Sequence, residues 1–495
     1  MADLILKNGY VITMDKKRRL IENGAVVIEN GKILFVGTTE EALAKYTADK
    51  IMDMENHIIM PGFVDAHGHA GHTFFKAVVN NTKYWMPAMT HTYKHYIDDD
   101  FWYYEGRLSA LERLKCGVTT GVCVMGSQPR CDDPIHAINN AKAYNEIGVR
   151  DIVVTGPCHT PWPHNFSRWV DGKRVMKAVT FEECVKSLEK VIETLNNTNN
   201  GKTYAYVGPF GVITSINPSG ATPYSELTHL TEHDKHQARE MLRVAKEYNT
   251  RIHTDCFGGM IKLAMEDLDN AVLGPNVHIQ HCSLLSDEEV DVIAATGTHV
   301  SAAGGSRAPV HKLMAKGVKV AATTDGSMHG VGFDMFKCMQ RFQQQYRLIA
   351  EDLTFLPAER VLELVTIEAA EVIGLEDKVG SLETGKNADI ITIDILNPRL
   401  VPNFNLVYSL MMHGQSCDID NVIIGGEVLM ENRKLTKADE REILLKANAE
   451  AKKTVDRAPH LQRFAYQDPI FFGKNYIDLP ERMDLEWQRQ DGGHY

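Results

Sequence analysis

No run of eighteen or more apolar residues occurs in this chain, so a membrane-spanning helix is not expected. Long basic runs are missing as well. With a formal charge of −12, neither nucleic acid nor an anionic membrane surface is an expected partner. The nine cysteines are odd in number and lack the paired spacing of a disulfide framework, which points to a reducing cytosol. The opening residues, MADLILKNGYVITMDKK, have no signal-type apolar core or cleavage site. These absences leave a cytoplasmic enzyme or binding protein acting on a small molecule.

What is present is a strand-rich start and end around an alternating middle. Residues 3–58 read as short strands (LILKNGYVITM, GAVVIENGKILFVG, DMENHIIM) punctuated by Asn-Gly at 8–9, 23–24 and 30–31, a hairpin signal. A second strand-rich region covers ADIITID (388–394), VYSLMMHG (407–414) and IDNVIIGGEVLMEN (419–432). Neither region fills a sandwich alone, but together they do. Residues 59–377 give eight strand-like segments, most followed by helical ones, and Ser286 with Glu289 forms a capping box at one helix start. Repeated β-α units imply a parallel sheet, and eight of them a closed barrel. The expected fold is therefore α/β: a (β/α)8 TIM-type barrel over 59–377 with a composite β-sandwich from 1–58 and 378–436. Residues 437–495 read as a helical extension and tail suited to packing or to contact in a homo-oligomer, a dimer or higher.

Chemistry in such a barrel sits at the C-terminal strand ends. The first strand ends in His67 and His69, two residues apart and so on one face. The fifth ends in His253, the sixth in His281 and the eighth in Asp325. Neutral imidazoles plus one carboxylate suit a divalent ion such as Zn²⁺ or Fe²⁺.

The stretches PGFVDAHGH, HCSLLSDEEV, TTDGS and VGSLETGKNADIITID resemble the amidohydrolase superfamily, in its triazine-hydrolase and cytosine/guanine-deaminase branch. The resemblance implies that His67, His69, His253 and Asp325 are metal ligands. It implies that His281 sits near the metal and contacts substrate, and that Asp325 carries a proton from the metal's water to the leaving group. Binuclear members have a bridging lysine at the end of strand four. YAYVGPF has none, so one metal per chain is expected: zinc, with Fe(II) or Mn as alternatives.

The chain departs from that pattern at strand five. The branch has His-x-x-Glu there, whereas HTDCFGG places Cys256 at the glutamate position, with Asp255 one residue earlier and in step with His253. A thiol with a reference pKa of about 8.5 is a poor acid for that role. Hydrolysis of a C–N bond in a small amide, urea, carbamate or lactam is therefore the leading reading. Deamination or dehalogenation of a nitrogen heterocycle is second, and a non-catalytic metal-containing barrel third. Candidate substrate contacts are His281, Asp255, Trp85 on a lid with His91 and His95, His159 near Trp162 and His164, and Arg307 in the loop SAAGGSRAP. His72 either lines the pocket or caps a helix. His278 reads as structural, and Cys256 and Cys282 as packing residues.

Overall fold

Alternation decides which way the terminal strands face. In β1 (Ala2–Ile12) and β2 (Leu20–Glu29), Leu4, Leu6, Val26 and Ile28 fall on one face, while Ile5, Ala25 and Val27 fall on the other. The first face shares a core with Ile390 and Ile423 from the far end of the chain. The second packs with Ala42 of the helix Thr39–Lys45. The computed structural model describes residues 1–76, 78, 85–126, 130–170, 172–215, 228–326 and 330–465.

The remaining strands of this sheet are β3 (Lys32–Thr38), β4 (Ala48–Asp53) and β5 (His57–Pro61), joined by Ile390–Asp394, Ile419–Ile424, Glu427–Glu431 and Lys434–Leu435. Ile391 of the late segment pairs with Met60 of β5, so both chain ends form one nine-stranded sheet.

The barrel begins one residue beyond β5. Gly62 breaks the run, because a Cβ there would fall 2.1 Å from the Thr119 side chain. β6 (Phe63–Asp65) and β7 (His69–Ala70) lie beside β8 (Val118–Met125), followed in parallel order by β9 (Arg150–Thr155), then Thr203–Val207, Ile252–Phe257, Val277–Ser283, His299–Ala303 and Val320–Thr323. β8 and β9 are buried at every position, as strands covered on both faces must be. A parallel bridge between Gly68 and Asp325 brings the first and last strands together. Helices Phe181–Leu195, Glu232–Glu247 and Asp287–Thr296 each start at a capping box, at Thr180, Thr231 and Ser286 respectively. The Arg150 guanidinium, buried at the start of β9, donates to Asp389 at 2.8 and 3.1 Å and ties barrel to sheet.

Two local expectations are corrected. Residues 407–414, read as a strand, form the helix Leu406–His413. The Asn405 side chain accepts the Tyr408 N–H at its start, and Val407, Leu410 and Met411 share its buried face. The loop after β9 carries an antiparallel hairpin, β10 (His164–Val170) and β11 (Lys173–Val179), that was not anticipated. The extension forms helices Glu440–Arg457 and Pro459–Ala465, and the rest of the expected tail lies outside the described residues. Among the described residues no helix is long and apolar enough to cross a membrane.

Candidate metal centre and active site

Two backbone carbonyls fix the tautomers at the barrel mouth. His69 Nδ1–H donates to the Gly126 carbonyl at 2.7 Å, which leaves its Nε2 as a bare acceptor. His253 Nδ1–H donates to the His278 carbonyl at 3.1 Å, so its Nε2 carries a lone pair, 2.7 Å from His67 Nδ1. The second ring nitrogen of His67 is Nε2. It lies 3.1 Å from His69 Nε2 and 3.4 Å from Asp325 Oδ1, and His69 Nε2 lies 3.2 Å from that same oxygen. Lone-pair atoms outnumber donors in this group. Such a cluster needs a cation, and ring nitrogens oriented from behind by carbonyls are the usual form of a metal-binding imidazole.

The electrostatics favour neutral imidazoles at His67 and His253, while at His69 burial is outweighed by the Asp325 carboxylate, which raises that ring. Burial drives His67 and His253 down toward the neutral form that binds metal. Burial pushes the Asp325 carboxyl up, but the imidazoles of His281, His67 and His69 around it outweigh that and hold the group well below the usual range. The residues therefore fit a divalent ion. His67, His281 and Asp325 offer ligand atoms within 4.8 Å of one another. His69 stands beside them, and His253 joins through His67.

His281 has its own setting. Its Nε2 lies 3.8 Å from Asp255 Oδ2 and its Nδ1 4.0 Å from Asp325 Oδ2, so one imidazole stands between two carboxylates. The ring stacks on Phe257 with centroids 5.1 Å apart. His281 and Asp325 both adopt left-handed backbone, with φ of 72° and 61°. This costs about 1–2 kcal/mol for each non-glycine residue and is the kind of strain found at functional sites.

The other expected substrate contacts are spread around this centre. Asp255 lines a small cavity with His69, His253, Gly208 and Phe210. Trp85 opens the helix Trp85–His95 and meets His72 edge-on at 6.4 Å, and His72 stacks on His69 at 4.5 Å. His159 lies one layer back, 5.6 Å from Phe210 between ring centroids. Burial, and Lys94 after it, bring His159 down to about 4. Arg307 is exposed, and its backbone pairs with Leu284 and Ser283 just past His281.

A supporting layer lies behind these residues: His278 has the structural role expected of it, and Asp65 is the member that sequence reasoning missed. His278 stacks on His253 at 3.8 Å and bonds Ser301 at 3.0 Å. Asp65 is fully buried. It accepts the Thr324 N–H at 3.1 Å and the Thr324 hydroxyl at 2.7 Å, with Arg113 at 3.4 Å. Asp65 stood in the quoted PGFVDAHGH stretch, and a buried carboxylate on an apolar strand was the available signal.

The amidohydrolase family model matches residues 58–429. A 5′-deoxyadenosine deaminase of Methanosarcina acetivorans is 27% identical, covering 92% of this chain and all of the relative. A 5-methylthioadenosine/S-adenosylhomocysteine deaminase of Syntrophobacter fumaroxidans is 27% identical over 90% of this chain and 96% of its own length. Among solved structures, an adenosine deaminase from Xanthomonas campestris with bound zinc superposes with TM-score 0.76 at 19% identity, covering 93% of this chain and 99% of the other. An atrazine chlorohydrolase from Arthrobacter aurescens complexed with zinc gives 0.73 at 18%, covering 90% and 100%. At these identities the structural likeness is one of fold.

Proposed function

Because the chain belongs to the amidohydrolase family, metal-dependent hydrolases that act on carbon–nitrogen bonds, we propose that it deaminates an amino-substituted nitrogen heterocycle. The observation that carries this reading is the His281 imidazole between Asp255 and Asp325, at 3.8 and 4.0 Å. Heterocycle deamination asks for two proton-handling groups, one for the attacking water and one for the ring nitrogen, and two carboxylates face one site here. The curated relatives named above are deaminases, which supports the same choice.

His67, His69, His253 and Asp325 would hold one divalent ion, and three imidazoles with one carboxylate favour zinc. When bound, that ion supplies a Lewis acid that brings the pKa of water from about 15.7 toward ~7. Asp325 takes a proton from the water and delivers it to the leaving nitrogen. Asp255 gives a proton to the ring nitrogen and recovers one as the product forms. His281 holds the oxygen that develops on the substrate carbon. In the balance, water oxygen bonds to the ring carbon, the C–N bond breaks, and nitrogen leaves as ammonia with one water proton. The other proton stays on the product.

Hydrolysis of a cyclic amide is the second reading, and Cys256 favours it. This thiol is fully buried. Its hydrogen bond with Cys282, and then burial, hold its proton on, so it cannot act as the missing acid. A screen of zinc-loaded protein against 5′-deoxyadenosine, amino-pyrimidines, amino-triazines and lactams separates the two. Ammonia with an oxo-heterocycle product supports deamination, whereas an amino acid from a lactam with no ammonia from any amine supports the second reading. The substrate is a small molecule under either, with neither nucleic acid nor membrane as partner, in a cytoplasmic homo-oligomer.

A further inference from the structure

Lys94 lies near the end of the helix Trp85–His95, buried along its length from Pro87, with only 5% of its own surface exposed. Its ammonium has one hydrogen-bond partner among the described residues, His164 Nδ1 at 3.4 Å. His164 turns its other nitrogen to the His159 carbonyl at 2.5 Å, so Nε2–H donates there and Nδ1 is the acceptor for Lys94. The Lys94 Nζ also stands 6.0 Å from the centre of the Phe166 ring. No carboxylate among the described residues lies within 4 Å of it. Asp132 is paired with Arg130 at 2.7 and 3.1 Å. A buried ammonium with one long neutral contact is an unstable arrangement in a folded protein, since ions are rarely left uncompensated out of water.

Its position suggests what compensates it. His159 and His164 follow the C-terminal end of β9, the barrel face that carries the metal centre. The His159 ring packs on Phe210, which lines the cavity shared with His69, His253 and Asp255. Trp162 meets His164 edge-on at 4.7 Å. A flat substrate reaching from the metal centre past Phe210 would bring its far end to this aromatic-walled cation.

We propose that Lys94, with His164 beside it, is a recognition point for an oxyanion, a carboxylate or a phosphate, carried on the substrate. The assignment deepens the proposed hydrolase reading by naming a feature of its substrate, and it rests on that reading only for the direction in which the substrate lies.

Equilibrium binding to the metal-loaded protein tests it without turnover, so a chain that cleaves none of the tested C–N bonds still answers. The probes are benzoate, phenyl phosphate and the uncharged benzamide. Wild type is expected to bind one or both anions about tenfold or more tighter than benzamide, the reach of one charge-assisted contact. The stronger anion tells carboxylate from phosphate. Lys94→Met should abolish the preference, leave benzamide binding unchanged and melt no lower than wild type. An equal anion preference in Lys94→Met would place the anion elsewhere, on the metal included, and overturn the proposal. Equal loss of all three probes, with a lowered melting temperature, would reduce Lys94 to a structural residue and overturn it too. If Lys94→Met does not fold, Lys94→Gln carries the same comparison.

Discussion

The backbone N–H of Asp325 donates to the carbonyl of His67 at 3.1 Å, across the seam where the first and last barrel strands meet. The carboxylate and the imidazole that face each other at the mouth are thus held in register by their own main chains. Barrel closure and the geometry of the candidate metal centre are one structural event.

Asp65 secures that seam from behind through Thr324 and Arg113. Asp65→Ala would leave a fully buried guanidinium with the Val122 carbonyl but without its carboxylate, strand the two Thr324 donors, and should cost about 3–5 kcal/mol. Denaturant unfolding measures the loss. Breaking the exposed Lys7–Asp53 pair by Lys7→Ala, the control, should cost under about 1 kcal/mol. Equal effects would mean that the seam contributes nothing special to stability.

A pH-dependent increment should come from His57, whose Nε2 lies 3.1 Å from Asp420 in the terminal sheet. The hydrogen bond to Asp420 raises His57 above its ordinary 6.5, against burial. A raised folded value stabilises fully below the unfolded one and is lost as pH climbs through the folded one. Wild type should therefore lose stability from about pH 6.5 upward more steeply than Asp420→Asn. Parallel stability curves for the two proteins across pH 5–9 would remove the pair from the account.

Much of this was legible because it is local. The capping box at Ser286 marks a helix start within four residues, and strand ends align His67, His253, His281 and Asp325 by simple succession. The apolar residues of the helix Leu406–His413 also fit a short strand, and only the Asn405 cap separates the two. The hairpin of β10 and β11 lies in a stretch whose strands, HNFSRWV and KRVMKAV, mix polar and charged residues with apolar ones out of step and so lack the apolar alternation of a strand. The partners of Asp65 and Lys94 were invisible for another reason. Asp65 meets Thr324, and Lys94 meets His164, across long stretches of chain that no periodicity connects.

Metal retention should separate the roles at the mouth. His67→Ala and His253→Ala should each lose the ion and the activity, because an incomplete ligand set binds weakly. His281→Ala should keep more metal and lose more substrate affinity. Elemental analysis and steady-state kinetics on the same samples decide it. A His67→Ala protein with full metal and full turnover would remove His67 from the ligand set.

Asp325→Asn keeps an oxygen toward His67 and His69 but cannot accept a proton. Some metal should remain, and kcat should fall by about 10²–10⁴ on metal-saturated protein. Wild-type turnover in that variant would move the proton transfer to another group, Asp255 first, since it faces the other nitrogen of His281.

The most direct test of the central claim is a zinc titration of chelator-stripped protein, with ammonia release followed on the best amino-heterocycle from the screen. The account predicts no turnover without metal and a linear rise that levels off at one equivalent per chain. Turnover that survives complete metal removal, or that levels off only at two tightly held equivalents, would contradict it.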